Sequence, residues 1–314
     1  MPGMQHPARP TPEKCLRSKA PHGLKSWKLT HKRALQWAGL LAFSWVGVTG
    51  VAHSQGGVDG GMEGGALPLW ELGVFAGAVG TPAYPASEQR SGLVTALPVL
   101  IYRGEVFRAE RGSIGARLVH TADTEFDIGF SGSLPASSND VTLRKNMPDL
   151  GTLVEFGPRI KTVLARPDGH SQIRLELPLR SVLEWQGGIR SQGWAAEPEL
   201  LWETRAPGSA WRFTTSAGLV FGDASLNQYF YGVTAAQATA ARTAYDAAPG
   251  LIAARLSVSA SRALTPDVRV FGFVRGESYT ASPNAASPLH ARDSDYAAGV
   301  GLTWMLARSQ ERAR

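Results

Sequence analysis

The chain has almost no cysteine. Cys15 is the only one in 314 residues, and it lies within the basic first 54. Disulfides and cysteine-based metal sites are therefore excluded from residue 55 onward. That part of the sequence also lacks any apolar run of the roughly 20 residues that a membrane-spanning helix needs. If it contacts lipid, it must do so with β-strands.

Excess positive charge is confined to the N-terminal region. The first 54 residues hold eight basic side chains and one acidic side chain, a net charge of +7, whereas Gln55 to Arg314 sums to −1. The overall charge of +6 therefore gives no support for nucleic-acid binding. An apolar stretch, Ala34 to Val51, precedes the small residues Ala52 and Ser54. We predict a signal peptide over residues 1–54, with an uncleaved membrane anchor as the alternative.

Strict alternation of apolar and polar residues appears after a glycine-rich segment, residues 55–69, which we expect to be a flexible tail. From Gln172 to Leu179, isoleucine and leucine occupy every odd position, whereas Gln, Arg, Glu and Pro occupy the even ones. A strand with this pattern has one hydrocarbon face and one charged face. Such strands are typical of a barrel with lipid outside and polar groups inside.

Twelve segments have strand length and related patterns. We therefore predict an all-β fold, a transmembrane antiparallel β-barrel of about 12 strands (10–14), over residues 70–306, with a charged C-terminal tail at 307–314. The candidate strands are Trp70–Val79, Leu93–Arg103, Glu105–Ala109, Gly112–Val119, Thr124–Ser131, Thr152–Leu164, Gln172–Trp185, Gly193–Thr204, Ser209–Phe221, Leu251–Ser261, Val268–Tyr279 and Asp295–Leu306.

The links between these strands alternate in length. Short turns such as Arg166 to Gly169 follow the even strands, and long links such as Gly222 to Gly250 follow most odd ones. Outer-membrane barrels have short periplasmic turns and long outer loops in this order, so we expect the protein to lie in the outer membrane of a Gram-negative cell. Aromatic residues near strand ends, where lipid headgroups favour them, agree with this location. These are Trp70, Tyr102, Trp185, Trp194, Tyr279, Tyr296 and Trp304.

Charged residues occupy the strand face opposite the hydrocarbon, and we predict that they point into the barrel lumen. Two interpretations stay open: cross-strand ion pairs that fill a narrow barrel, or a polar pore whose charges select solutes. The predicted lumen residues are Glu155, Arg159, Lys161, Arg174, Glu176, Arg180, Glu197, Glu199, Glu203 and Arg212, with Arg255, Arg269 and Arg275 further along the chain.

Histidine is scarce after the leader. Only His120, His170 and His290 remain, and we expect each to be a solvated loop residue. No metal site or cofactor is therefore expected. One long link holds the residue types of a hydrolase triad: Ser287, His290, Asp293 and Asp295. A mobile loop rarely holds such groups in register, so we expect no enzymatic activity.

Six short motifs are spread over the chain beyond residue 80. They are Pro82 to Ser87, Leu97 to Gly104 with Phe107, Gly157-Pro158, Gln228 to Val233, Ser287-Pro288 and Gly299 to Trp304. Together they resemble the MipA/OmpV family, the MltA-interacting outer-membrane proteins. The chain departs from the family pattern at Ala86, where glycine is usual, and after Leu306, where a charged tail replaces the usual aromatic end.

The resemblance implies a non-enzymatic barrel in contact with outer-membrane lipids. For some family members it implies a scaffold that links a murein lytic transglycosylase to a penicillin-binding protein, a peptidoglycan synthase. Other members are linked to osmotic response, adhesion or antibiotic entry. A small-solute porin, or a ligand-binding or adhesin barrel, is therefore the alternative function. The family has no catalytic residues to carry over.

Overall fold

The computed structural model describes residues 67–104, 107–110 and 113–313. The predicted signal peptide, residues 1–54, lies outside the described residues, and so do residues 55–66 of the predicted tail. Within the described part, no helix is long and apolar enough to cross a bilayer.

The described residues form thirteen strand segments and one α-helix. The strands are β1 (Trp70–Pro82), β2 (Arg90–Arg103), β3 (Phe107–Glu110), β4 (Ser113–His120), β5 (Thr124–Ser133), β6 (Thr152–Asp168), β7 (Ser171–Trp185), β8 (Ile189–Ala196), β9 (Glu199–Arg205), β10 (Trp211–Gly222), β11 (Gly250–Ala263), β12 (Val268–Ser278) and β13 (Ser294–Arg308). The helix is α1 (Ala224–Tyr231), between β10 and β11.

These segments form a closed antiparallel ring of twelve strands. β8 and β9 each pair with both β7 and β10, so they are two halves of one strand, interrupted at Glu197-Pro198. Proline has no N–H to donate, which accounts for a break in the ladder at this point. β13 then pairs with β1, from Glu71↔Arg308 to Gly80↔Ala298, and closes the ring. The predicted fold is confirmed, and each of the twelve candidate strands has its counterpart.

The two faces of the strands differ in burial as the alternation predicts. On β13 the even positions except Ala298 are exposed, with Val300 at 65% and Trp304 at 53% of their full accessibility. The odd positions from Asp295 to Met305 are buried or half-buried. Inward-pointing Val182, Val220 and Ile252, from three strands, meet in one buried cluster, which identifies the interior of the ring. The exposed hydrocarbon is therefore the outer face.

The links sort into two ends of the barrel. At one, the turn end, short links connect the strands at 121–123, 169–170, 206–210 and 264–267. The terminal segments also meet there, since the Leu69 amide donates to the Glu311 carbonyl at 2.8 Å and the Ala313 amide to that of Leu67 at 2.8 Å. The other, the cap end, carries the long links 83–89, 134–151, 223–249 and 279–293, with one short link at 186–188.

Glycine permits a close approach within the wall at Gly157. A Cβ at this position would overlap the Leu179 carbonyl oxygen of β7. Gly157 and Pro158 lie in mid-strand, where the β6–β7 register runs from Phe156↔Ser181 to Arg159↔Pro178. The Gly-Pro motif thus has a packing role in the barrel wall.

Candidate functional site

The charged inner face begins with a network across β4, β5 and β6. Arg159, 5% exposed, donates to both carboxylate oxygens of Asp127 at 3.0 and 2.8 Å. Lys161 bridges Asp127 at 2.8 Å and Glu125 at 2.9 Å. Arg117 on β4 contacts Glu125 at 2.5 Å. Three cations therefore hold two carboxylates across three neighbouring strands, and Arg159 binds Asp127 with the two-point arginine geometry that makes such bonds strong.

A second group connects β7 with β9. Arg174 lies 3.0 Å from Glu176 and 2.9 Å from Glu203, and these carboxylates are 4% and 1% exposed. Gln172 also donates to Glu203. Each buried carboxylate has a cation within ion-pair distance, which is the condition for placing charge in a protein interior.

A third group spans the barrel near the cap end. Arg180 reaches Glu155 at 3.3 Å and Glu197 at 2.6 Å. Arg255 on β11 joins Glu197 at 3.3 Å to Glu277 at 2.7 Å, and Arg275 also contacts Glu277, at 3.1 Å. The network therefore runs from Glu155 on β6 to Glu277 on β12.

The structure brings most of the sequence-predicted lumen residues into these three groups. Glu199 is half-buried and hydrogen-bonds Ser216, and Arg212 lies at the turn end, opposite Arg205. Glu125 and Asp127, which pair with Lys161, were not among the predicted lumen residues. They alternate with Phe126 and Ile128 on β5, so the same parity rule applied to that strand would have found them.

The long links form an ordered layer over the cap end, which we call the cap. Its buried apolar cluster is built from all four links: Tyr84, Ala136, Val141, Met147, Leu150, Val233 and Leu289. The Asp223 side chain caps α1 by accepting from the Leu226 amide at 2.9 Å. Leu226 and Tyr231 of α1 pack into the cluster of Val182, Val220 and Ile252. The helix therefore faces the barrel interior and is part of its closure.

Buried polar contacts hold the cap together. The Arg242 guanidinium donates to the carbonyls of Leu143 at 2.7 Å, Gln237 at 2.7 Å and Lys145 at 3.2 Å. The Asn284 amide donates to Asn227 Oδ1 at 2.9 Å and to the Ala248 carbonyl at 2.9 Å. Apart from the local bond to Gln237, these bonds connect segments that are 36 to 99 residues apart in sequence.

Tyrosines connect the cap to the barrel interior. Tyr229 donates to Glu184 Oε1 at 2.9 Å, and Tyr279 donates to Glu277 Oε2 at 2.6 Å. Burial raises the pKa of both phenols, and the carboxylate that each one faces raises it further. Tyr279 is 0% exposed, so the prediction that its ring lies among the lipid headgroups is wrong. It lies in the last long link and packs over the barrel interior.

The histidines and the triad residue types give no assembled catalytic site. His120 and His170 are exposed, but the His290 side chain is 3% exposed, so the expectation that it is solvated is wrong. It packs against Tyr231 and Tyr279, with ring centroids at 6.2 and 6.4 Å.

Ser287 donates its hydroxyl hydrogen to the Tyr231 carbonyl at 2.7 Å, so that hydrogen is not directed at His290. His290 Nε2 lies 3.3 Å from Asp293 Oδ1. Among the residues with described positions, no group of three or more His, Cys, Asp or Glu side chains could hold a metal ion.

A closed twelve-stranded ring with hydrocarbon outside and ion pairs inside defines an outer-membrane β-barrel. The family model described as "MltA-interacting protein MipA" matches residues 74–306, so the chain belongs to the MipA family. No curated protein matches it in sequence.

Several solved outer-membrane proteins are similar to the chain. An outer-membrane channel from Pseudomonas putida F1 has 10% identity and a TM-score of 0.43, covering 80% of this chain and 100% of that one. The NanC porin has 11% identity and a TM-score of 0.36, covering 75% and 100%. Outer-membrane phospholipase A from Escherichia coli has 8% identity and a TM-score of 0.31, covering 76% and 94%. Their activities do not transfer at this level of similarity.

Proposed function

We propose that this protein is a non-conducting scaffold of the outer membrane. The barrel anchors it in lipid, the turn end faces the periplasm, and that end holds a murein lytic transglycosylase next to a peptidoglycan synthase. Membership of a family whose description names an interaction with MltA supports this proposal. The mature chain begins after a cleaved leader, residues 1–54.

The observation that carries the proposal is the closure of the barrel at the cap end. Val141, Val233 and Leu289 in the cap are at most 2% exposed, and so are Val182 and Ile252 beneath them. Two consecutive apolar layers of this kind support a barrel that is closed to ions at this end. To open a hydrated route, apolar surface must be exposed to water at a cost of about 25 cal/mol per Å².

The inner charges serve structure in this proposal rather than selectivity. Arg180 and Glu203 are 2% and 1% exposed, and each lies within 3 Å of an opposite charge. A selectivity filter needs charges that are accessible to passing ions. Paired and buried charges instead fill the interior and tie neighbouring strands together.

The turn end offers a surface for periplasmic partners. The short turns alone fall below the roughly 800 Å² per partner of a standard interface. The paired terminal segments, residues 67–69 and 309–313, extend this surface, and Ser309 is fixed there by a bond from its amide to the Trp70 carbonyl at 2.9 Å. We infer that a partner contacts these segments together with the turns.

Two measurements on one preparation test the proposal. Protein reconstituted in a planar bilayer should give no steady ion current, and the full-length protein should co-purify a lytic transglycosylase and a penicillin-binding protein after crosslinking. Deletion of residues 309–314 should lower that recovery, whereas Arg190→Gln, at an exposed residue beside the short cap-end link, should not. Steady conductance would overturn the non-conducting role. Equal recovery of the two enzymes in a control purification from cells that lack the protein would overturn the scaffold role.

A gated small-solute porin is the second candidate. It is favoured by the inner face toward the turn end, where Thr303 and Met305 keep part of their surface accessible. Deletion of residues 234–248 removes the Arg242 anchor of the cap and should change solute uptake if the cap is a gate. The scaffold proposal expects partner recovery to survive this deletion, because the cap lies at the opposite end.

A further inference from the structure

One arginine lies on the lipid-facing surface of the barrel near the turn end. Arg262 is the last but one residue of β11 and is exposed. It continues the outward row of Leu256 and Val258, which are 60% and 50% exposed, and Leu264 follows it in the turn. A cation in such an apolar row is costly at the middle of a bilayer and is tolerated where it reaches the headgroups.

The neighbouring strands fix the position of this arginine. Arg262 is directly opposite Trp211, the first residue of β10, and Val270 of β12. Its Cζ lies 5.7 Å from the centroid of the Trp211 ring, within the range of cation–π attraction. Trp211 in turn stacks on Phe213, with ring centroids 6.1 Å apart. Since tryptophan favours the membrane interface, the pair places the guanidinium at the depth of the headgroups.

The charge of Arg262 is not neutralised by the chain. In residues 67–104, 107–110 and 113–313 no carboxylate lies within ion-pair distance of it, and its side chain contacts the Trp211 ring. Two other exposed arginines at the turn end differ, because Arg166 lies 2.6 Å from Asp123 and Arg308 is paired with Asp267. The positive charge of Arg262 is therefore available to a group outside the chain.

The cap end has the same pairing of an outward arginine with an aromatic ring, but there the charge is neutralised. Arg90 of β2 lies 4.2 Å from the centroid of the Tyr296 ring. Its Nη1 is also 2.5 Å from Asp295 Oδ1, and the Asp295 side chain is 1% exposed. The stacking is common to both ends, so the missing carboxylate is what distinguishes Arg262.

We propose that Arg262 and Trp211 form a binding site for the phosphate of an anionic phospholipid in the leaflet at the turn end. In barrels of this class the short turns face the periplasm, and the leaflet on that side of the outer membrane consists of phospholipid. The planar guanidinium donates two parallel hydrogen bonds to the phosphodiester. The acyl chains lie over Phe213 and Val258, which are 38% and 50% exposed.

The net charge of the lipid sets the preference. A zwitterionic lipid brings its own cation to the site, whereas an anionic lipid brings none, so the attraction to Arg262 is larger for the anionic lipid. The site lies on the outer surface and requires neither a cavity nor a conducting barrel. It is also independent of the scaffold role, because lipid binding needs no protein partner.

Native mass spectrometry tests the preference on protein purified from outer membranes into a neutral detergent. The probes are phosphatidylglycerol and phosphatidylcholine with identical acyl chains. We expect the first phosphatidylglycerol molecule to bind about fivefold more tightly than phosphatidylcholine, which is the contribution of one arginine near a membrane surface. Equal affinities for the two lipids would overturn the proposal.

Two variants assign the preference to Arg262. Arg262→Gln should lower the affinity for phosphatidylglycerol about fivefold and leave that for phosphatidylcholine unchanged. Arg166→Gln is the matched control: it removes the same charge from the same end, but from an arginine paired with Asp123, and should change neither affinity. Equal losses in the two variants would refute the assignment to Arg262.

Fluorescence quenching locates the lipid in a bilayer. Vesicles of phosphatidylcholine receive a small fraction of either phosphatidylglycerol or phosphatidylcholine that carries a nitroxide near its headgroup. The emission of Trp211 is the difference between the unaltered protein and Trp211→Phe. It should be quenched at a lower fraction of labelled phosphatidylglycerol than of labelled phosphatidylcholine, and identical quenching by the two would overturn the proposal.

The test does not depend on the folding of any variant, because the comparison of the two lipids by mass spectrometry uses only the unaltered chain. Heat-dependent gel mobility confirms that each variant forms the barrel before it is compared. Since no enzyme is present in either measurement, failure of the scaffold proposal and failure of the lipid site are distinguishable.

Discussion

Removal of the buried cation Arg180 should cost far more stability than removal of an exposed one with the same ion-pair distance. Arg180 lies 2.6 Å from Glu197, and their side chains are 3% and 21% exposed. Arg166 lies 2.6 Å from Asp123, with side chains 53% and 55% exposed. Burial of the pair is therefore the main difference between the two.

We expect Arg180→Met to lower the free energy of unfolding by about 3 kcal/mol, because it removes the cation that the half-buried Glu155 and Glu197 share and leaves Glu197 with Arg255 alone. Arg166→Met should cost less than about 1 kcal/mol, because solvent screens an exposed pair. Urea-induced unfolding of the barrel in lipid vesicles, followed by tryptophan fluorescence, measures both. Similar losses for the two variants would refute the idea that the inner charges are desolvated.

A double-mutant cycle isolates the pair itself. Glu197→Gln in the Arg180→Met background should recover part of the lost stability, with a coupling energy of about 0.5–3 kcal/mol. Recovery should be incomplete, because Glu155 stays 3.3 Å from the position that the guanidinium occupied. Strict additivity of the two changes would mean that the observed distance carries no interaction energy.

Further predictions concern packing, pH and processing. Gly301→Ala should lower the free energy of unfolding by about 1–3 kcal/mol, because its Cβ would lie 2.5 Å from Phe271. Gly80→Ala is the control and should lower it by less than about 0.5 kcal/mol, because the nearest atom to its Cβ is 4.0 Å away. Equal losses of stability for the two variants in urea would contradict this. Burial raises the pKa of Tyr84 to about 12, so the stability that its neutral phenol gives the cap is complete below pH 10 and is lost as the pH rises through 12. The absorbance of the phenolate measures this titration. Mass spectrometry should find Gln55 at the mature N-terminus; a retained leader would favour the membrane anchor.

The alternation of apolar and polar residues was sufficient to predict the strands, because every strand of a barrel wall points alternate side chains to lipid and to the interior. On β13, Tyr296, Val300 and Trp304 face outward, and Gly299 and Gly301 face inward, in agreement with the period of two. The interruption of the eighth strand also has a local cause, Pro198. Local rules therefore specify the wall, and ring closure follows because β1 and β13 would otherwise be unpaired edges in lipid.

The cap could not be predicted in this way, because its contacts are not periodic. Arg242 binds the carbonyl of Leu143, 99 residues earlier, and neither residue shows this in its sequence neighbourhood. The sequence left open whether the long link before β11 folds inward or stands outward. One local signal was available: Ala86 replaces the usual glycine and has a φ of 66°, in the left-handed region that glycine favours. The departure at this position could have indicated a tight turn, but no turn was predicted from it.

The same inner charges explain how such a chain reaches the outer membrane at all. In β7, Arg174, Glu176 and Arg180 interrupt the hydrocarbon at every second or fourth position. Each charge costs about 2.5–3.5 kcal/mol at the centre of a membrane helix, so the segment is not retained in the inner membrane as a helix. Once the ring closes, Arg174 lies between two carboxylates and Arg180 between two more, which offsets their desolvation. Charges that keep the unfolded chain out of one membrane thus become the internal packing of the barrel in the other.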